Sequence, residues 1–316
     1  MRVCVVGAGA IGGWVAGRLA VAGLDVSVVA RGETLREIDT QGLRITEKGE
    51  TRCAAVAASD DPSALGPQDL VVIAVKAPAL PGIAASLEPL IRPDSLIVPM
   101  LNGVPWWFME EPLRSVDPDG DIAAALPIEQ VIGCVVHASC ERIAPNHVHV
   151  VHAERLILGE PAGGTSDRVD RLCALFGGEG FHCEVSDTIR RPIWYKLWGN
   201  ATINPLSALT RSSADKLLLD GAVRGFMAEA MEELATVGAA VGCPISESVE
   251  DRMAVTERLG AFKSSMLQDV EAGRPIELEA LLGAPREIAL RVDVATPQLD
   301  RIYAMTRLMG ENLGLL

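Results

Sequence analysis

Aromatic residues are scarce in this 316-residue chain: five Trp, five Phe and two Tyr, 4% in all. Its core must therefore be mainly aliphatic, and the 49% hydrophobic content marks a globular chain, not a disordered one. Basic residues are few as well, 28 Lys plus Arg against 42 Asp plus Glu, for a net charge of −14. A surface of that sign repels phosphate backbones and argues against nucleic acid as a partner. Any phosphate-bearing ligand must then be held locally, by backbone N–H groups and one or two cations. No apolar run reaches the roughly 18 residues of a membrane span, and no charged leader with a cleavage site precedes the first strand. Seven cysteines (Cys4, Cys53, Cys134, Cys140, Cys173, Cys183, Cys243) are odd in number and never spaced C-x-x-C. That pattern argues against a disulfide framework and a zinc ribbon, and a cytoplasmic, reducing location is expected. His147, His149 and His152 alternate with Val148, Val150 and Val151. The group reads as a strand with one polar face in preference to a metal site, and no metal is expected.

What is present begins with short Val/Ile-rich runs at 2–6, 25–30, 69–75 and 95–100, alternating with helical segments. Near-continuous apolar strands separated by helices predict an α/β fold, a doubly wound and mostly parallel sheet covered on both faces. After 132–138 the pattern changes: 147–152 alternates and, with 155–159, predicts an antiparallel extension of that sheet. A helix is expected at 167–176 and a last strand at 181–185. Beyond about Thr188 only helical spacing remains, at 192–204, 224–241, 248–271, 277–290 and 298–312, broken by Gly and Pro. Two domains follow, 1–187 and an all-helical 188–316. The apolar helix 228–241 is a candidate homodimer interface. No internal repeat or low-complexity segment is found.

Gly7-Ala8-Gly9-Ala10-Ile11-Gly12 directly follows the first strand and opens a helix. Gly7 permits the tight turn, Gly9 lets a pyrophosphate approach the backbone, and Gly12 lets helix and strand pack closely, with the helix N-terminus facing the anion. This is the dinucleotide-binding turn of a Rossmann-type sheet; a purely structural glycine turn is the alternative. The second strand ends Val28-Val29-Ala30-Arg31-Gly32, without the carboxylate that binds a ribose 2′-hydroxyl. Arg31 can pair with a 2′-phosphate, which favours NADP(H). A solvated Arg31, with Glu33 reaching the ribose instead, is the competing reading. Lys76 and Asn102-Gly103 fall at the ends of the next two apolar runs, where ligands bind in such sheets, or are loop polar residues without a ligand.

Residues 192–206 read Pro-Ile-Trp-Tyr-Lys-Leu-Trp-Gly-Asn-Ala-Thr-Ile-Asn-Pro-Leu. Lys196, Asn200 and Asn204 are four apart, so they drift only about 40° per step and share one helix face. Pro205 disfavours helical geometry at Asn204 and predicts that this side chain projects beside a break. A charge and two amides on an otherwise apolar helix need partners, supplied either by a ligand or by a structural hydrogen-bond network between helices.

In these residues and others along it, the chain resembles the ketopantoate reductase (2-dehydropantoate 2-reductase) family over essentially its whole length. The resemblance is carried by the glycine turn, Arg31, Val75-Lys76-Ala77, Asn102-Gly103, His137-Ala138, the Lys196/Asn200/Asn204-Pro205-Leu206 run, Ser264-Ser265-Met266-Leu267-Gln268-Asp269 and Glu277. It implies an NADP-dependent oxidoreductase of pantothenate biosynthesis that turns a 2-oxo acid into a 2-hydroxy acid. Lys196 is then the proton donor to the carbonyl oxygen, and Asn200, Asn204 and Ser265 bind the carboxylate and hydroxyl groups of the substrate. Asn102 lies between cofactor and substrate, while Gly7, Ala8, Gly9, Ala10, Ile11, Gly12, Arg31, Lys76 and Glu277 serve the cofactor. Independently, ketone reduction builds negative charge on oxygen and needs an acid or cation nearby. For Ser265 and Glu277 a plain helix end is the alternative, since Gly273 and Pro275 mark a stop and Glu277 can cap the next helix.

Two departures bear on the substrate. Where the family often carries Asn-Gly some ten residues after the Asn-Pro pair, this chain has Ser213-Ala214. Val104-Pro105-Trp106-Trp107-Phe108 follows Asn102-Gly103 and is either core packing or the wall of a larger, apolar pocket. A reductase of a bulkier 2-oxo acid or ketone is therefore the alternative function, and a non-catalytic NADP-binding sensor is a third reading.

Overall fold

The computed structural model of the protein describes residues 1–258 and 260–316. The chain folds into two compact units, Met1–Leu101 with Gly120–Ile189, and Asn102–Asp119 with Arg190–Leu316. Strands of the first unit are β1 (Arg2–Val6), β2 (Asp25–Val29), β3 (Leu43–Glu47), β4 (Glu50–Ala54), β5 (Ala57–Ser59), β6 (Leu70–Ile73), β7 (Leu96–Pro99), β8 (Gly133–Ala144), β9 (His147–Gly159) and β10 (Cys183–Val185). Its helices are α1 (Ala10–Val21), α2 (Gly32–Gln41), α3 (Asp121–Ala125) and α4 (Asp167–Gly178).

One sheet has the order β5-β2-β1-β6-β7 with every pair parallel. Val3, Val5, Val28, Val71, Val72, Ile73, Ile97 and Val98 are fully buried in it, as a sheet covered on both faces requires. Strand order reverses at β1, so the switch point lies beside β1 and β6. This is the expected Rossmann-type arrangement.

The antiparallel strands differ from expectation. β8 and β9 do pair antiparallel, but in a second sheet, β10-β9-β3-β4 with β8 on the other edge of β9. Their partners are a hairpin, β3 and β4, turned at Lys48 and Gly49, which both have positive φ. Helix α1 makes the second sheet possible. Its Gly13 and Gly17 lie where a Cβ would stand against Val148 of β9 or overlap Ile45 of β3, while Val15, Ala16 and Leu19 are buried. Val148 and Val150 point into the core, and His147 Nε2 lies 2.8 Å from Thr46 Oγ1. Among the described residues no three His, Cys, Asp or Glu side chains are grouped to hold a metal ion. Burial pushes the Cys4 thiol up to about 11 and Cys140 up to about 12, so neither ionises near neutrality.

The second unit is helical: α5 (Arg190–Thr210), α6 (Ala214–Leu219), α7 (Gly221–Ala240), α8 (Val249–Arg258), α9 (Ser265–Glu271), α10 (Ala284–Arg291) and α11 (Pro297–Leu313). A π-helical turn, Glu279–Gly283, runs directly into α10. Within the stretch read as one helix at 248–271, Leu259 lies outside the described residues, and α8 and α9 are separate. Helix α5 is the centre of the unit and is buried on most of its circumference. Its Trp194 and Trp198 donate their indole N–H groups to the carbonyls of Leu234 and Met231 on α7, at 3.0 and 2.8 Å. Met227, Ala230, Met231, Leu234 and Val237 thereby bury the apolar face of α7 within the unit.

Pro205 does not break α5, contrary to the sequence expectation. The helix continues to Thr210 although proline removes the hydrogen bond to the Ala201 carbonyl. Ala201 to Ala208 are all buried, and that packing outweighs the lost bond. No helix among the described residues is long and apolar enough to cross a membrane.

Candidate active site

In the first unit, Gly7, Arg31 and Lys76 all stand just beyond the C-terminal ends of parallel strands, after β1, β2 and β6. Gly7 has φ +99°, and its N–H donates to Val29 O at 3.0 Å, which closes the turn. A Cβ there would stand 2.9 Å from Val75 Cγ1; at Gly12 it would overlap the Gly7 carbonyl oxygen. A Cβ at Gly9, by contrast, would meet nothing within 4 Å. So Gly7 and Gly12 are required by the turn itself, while the backbone at Gly9 faces open space. Ala8 is buried behind it, and α1 starts at Ala10 and Ile11 with no acidic residue in its first turn. Its first N–H groups lack helical partners and offer a phosphate cradle. Arg31 is exposed and N-terminal to α2. Lys76 is half-buried at the start of a short turn, Ala77–Ala79.

In the second unit, residues far apart in sequence meet. Lys196 Nζ on α5 donates to Asn102 Oδ1 at 2.9 Å, and Asn102 Nδ2 donates to Glu277 Oε2 at 3.3 Å. An ammonium can only donate and a carboxylate only accept, so the amide between them has one permitted orientation. Glu277 is 8% exposed; its backbone carbonyl accepts from Leu281 N–H at 3.2 Å and opens the helical stretch that follows. Its carboxylate meets Asn102, which a plain helix end does not require.

One turn along α5, Asn200 is half-buried and makes no side-chain hydrogen bond among the described residues. The next turn brings Asn204, 4% exposed, whose Nδ2 donates to Ser265 Oγ at 3.4 Å. Ser265 is held there by its neighbour. Ser264 caps α9 by accepting from Leu267 N–H at 3.1 Å, and its hydroxyl donates to the Asn204 carbonyl at 3.4 Å. The serine before an apolar helical run was the available signal for this cap.

Trp106, Trp107 and Phe108 are all buried. Phe108 packs on Trp194, ring centroids 5.6 Å apart, and is core. Trp107 Nε1 is buried with no hydrogen-bond partner among the described residues. Ala214 is buried too, its N–H on Phe262 O at 3.0 Å.

An anion cradle at the switch point of a parallel sheet, together with a helical unit that presents a lysine tied to an amide and a carboxylate, defines an oxidoreductase of the dinucleotide-binding class. Comparison with known proteins agrees. The family described as ketopantoate reductase PanE/ApbA matches residues 3–163, and its C-terminal counterpart matches residues 188–310. The 2-dehydropantoate 2-reductase of Mesorhizobium japonicum is 39% identical over 323 residues, covering 99% of each chain. A crystal structure from Ralstonia solanacearum MolK2 superposes with a TM-score of 0.97 at 48% identity, covering 100% of this chain and 99% of that one. The 2-dehydropantoate 2-reductase structure from Methylococcus capsulatus gives 0.85 at 30% identity, covering 99% and 98%. The chain belongs to the ketopantoate reductase family.

Proposed function

We infer that the protein reduces 2-dehydropantoate to pantoate, using NADPH in preference to NADH. The observation that carries the reading is the Lys196 ammonium, fixed 2.9 Å from Asn102 Oδ1 on a helix whose next turn offers the uncommitted amide of Asn200.

The first unit fits a dinucleotide. Open space at Gly9, a helix N-terminus with no acidic residue in its first turn, and Arg31 and Lys76 at neighbouring strand ends suit a pyrophosphate and a 2′-phosphate. When bound, the reduced nicotinamide supplies a hydride to the carbonyl carbon of the oxo acid. As that carbon accepts the electron pair, charge develops on the carbonyl oxygen, and Lys196 stabilises it and delivers a proton. The products are the 2-hydroxy acid and a neutral lysine, which regains its proton from solvent. Asn102 holds the ammonium in place, and Glu277 holds the Asn102 amide in the orientation that accepts from it. Asn200, Asn204 and Ser265 present amide and hydroxyl donors to the substrate's carboxylate and hydroxyl groups.

The bulkier 2-oxo acid keeps a place because Ser213-Ala214 stands where the family often carries Asn-Gly, and because the Trp107 indole N–H is buried with no hydrogen-bond partner among the described residues. The deciding experiment measures oxidation of NADPH and of NADH against a panel of 2-oxo acids that includes 2-dehydropantoate and aryl-substituted analogues. The highest kcat/KM is expected for 2-dehydropantoate with NADPH. Turnover of none of the panel would refute the proposed activity, and a preference for an aryl analogue would select the second reading.

A further inference from the structure

The amide of Asn102 works only if it meets Lys196 and Glu277 together, and the backbone beside it is built for that. Gly103 has φ +81°; a Cβ there would stand 2.5 Å from the Ala280 carbonyl carbon and overlap its oxygen. Next along the chain, Val104 N–H donates to Ala280 O at 2.8 Å. Ala280 is three residues beyond Glu277, so the loop carrying Asn102 is tied to the very segment that carries its carboxylate partner.

The Ala280 carbonyl is free to make this bond for a reason written in the sequence. In an α-helix it would accept from Ala284 N–H, but here that N–H goes to Glu279 O, five residues back, as π-helical geometry dictates. The corresponding π-helical donor to Ala280 O would be the N–H of residue 285, and residue 285 is proline, which has none. One carbonyl is thus released from the helix and points its acceptor at the Asn102 loop. Around it, the Glu279 carboxylate lies over Gly283, where a Cβ would overlap it, and accepts from Tyr303 OH at 2.9 Å. Arg286 covers the Tyr303 ring at 4.1 Å, and burial holds the Glu279 carboxyl above the usual carboxylate range.

We propose that Gly103 and Pro285 are positioning residues: together with the π-helical turn they free the Ala280 carbonyl to anchor the Asn102 loop, and so set the amide that orients Lys196. This rests on Lys196 being the proton donor. The two ideas fail differently: an active Lys196→Ala variant removes the donor, whereas the outcomes below concern the anchor.

The test is a pair of double-mutant cycles with Asn102→Ala, read as kcat on the preferred 2-oxo acid. Gly103→Ala is expected to lower kcat about ten- to a hundredfold, the value of one hydrogen bond to a charged group, with little change in KM for NADPH. In the Asn102→Ala background the same change should cost nothing further. Pro285→Ala restores an N–H that competes for the Ala280 carbonyl; kcat should fall about two- to tenfold without a fall in melting temperature. A loss of activity without a loss of stability is not what a merely structural proline would give. If Gly103→Ala does not fold, the Pro285→Ala cycle decides alone. A crystal structure of the folded variants adds a readout independent of activity: the Asn102 to Lys196 distance should exceed hydrogen-bonding range. Additive losses in both cycles, or an intact Asn102–Lys196 bond in variants with lowered kcat, would overturn the proposal.

Discussion

Replacing Lys196 by alanine deletes the ammonium that the proposed mechanism places on the developing alkoxide. Removing one preorganised donor of this kind costs about 10²–10³-fold in kcat, and proton transfer by the same group contributes about 10²–10⁴-fold. The two effects share one side chain and do not multiply, so a fall of about 10³-fold, or ~4 kcal/mol of transition-state stabilisation, is expected. The fold should tolerate the change. Lys196 is half-buried, and when it is removed Asn102 keeps its amide tied to Glu277 through Nδ2. The stability cost of the vacated charge-assisted hydrogen bond is then about 1.5–3 kcal/mol. NADPH affinity should stay close to native, because the glycine turn, Arg31 and Lys76 belong to the other unit. Lys196→Arg is the sharper companion, since guanidinium keeps the charge but does not give up a proton near neutrality. It should retain substrate affinity better than alanine does while kcat stays low. The assay is steady-state oxidation of NADPH, with cofactor affinity measured separately by fluorescence titration. A Lys196→Ala enzyme with near-native kcat would refute the reasoning and leave Glu277 as the next candidate acid.

Three further expectations concern the rest of the chain. Arg31→Glu exchanges an attractive for a repulsive partner of a 2′-phosphate, so KM for NADPH should rise far more than KM for NADH; equal changes would deny Arg31 that role. Trp107→Ala should reorder kcat/KM across the 2-oxo acid panel if its buried indole faces substrate, whereas a pure core residue would lose roughly 3–5 kcal/mol of stability with the order unchanged. Gly17→Val forces a branched side chain into Ile45 of the second sheet, and overpacking of this kind should cost about 1–3 kcal/mol, seen as a lower denaturation midpoint with the NADPH-to-NADH preference intact. A neutral Gly17→Val variant would mean that α1 and β3 are not in close contact.

Where local patterns carry the information, sequence and structure agree. The run at 2–6 is β1, residue for residue, and the glycine hexapeptide folds as the spacing requires, because strand, turn and helix start are all decided within a few residues. The second sheet leaves little trace in the sequence because β3 and β4 are short, partly polar strands around Lys48-Gly49. The overlooked signal sits in α1. A glycine inside a helix costs about 1 kcal/mol relative to alanine, and α1 carries Gly12, Gly13 and Gly17, all buried, a cost that makes sense only if other backbone approaches from more than one side. In the candidate site, the Lys196/Asn200/Asn204 stripe was visible from helical spacing alone. The partners of Asn102 lie 94 and 175 residues away, and no periodicity reports such a meeting. Pro205 misled because local backbone preference yields to a fully buried environment; Pro285, two residues into α10, left its mark by silencing a donor instead of ending a helix.

The helical unit is discontinuous: Asn102–Asp119 joins Arg190–Leu316, with Gly120–Ile189 between them in the other unit. During synthesis this sets an order of events. Asn102, Trp106, Trp107 and Phe108 leave the ribosome while α5, which supplies Lys196 and the Trp194 ring against Phe108, is still untranslated. At roughly 5–20 residues per second, the intervening stretch takes on the order of several seconds to make. For that interval Phe108 lacks the Trp194 ring on which it packs in the folded unit, which makes this short apolar segment a natural place for a chaperone to engage the nascent chain. It also means that a gene fragment beginning at residue 188 would encode Lys196 without Asn102, the amide to which its ammonium donates.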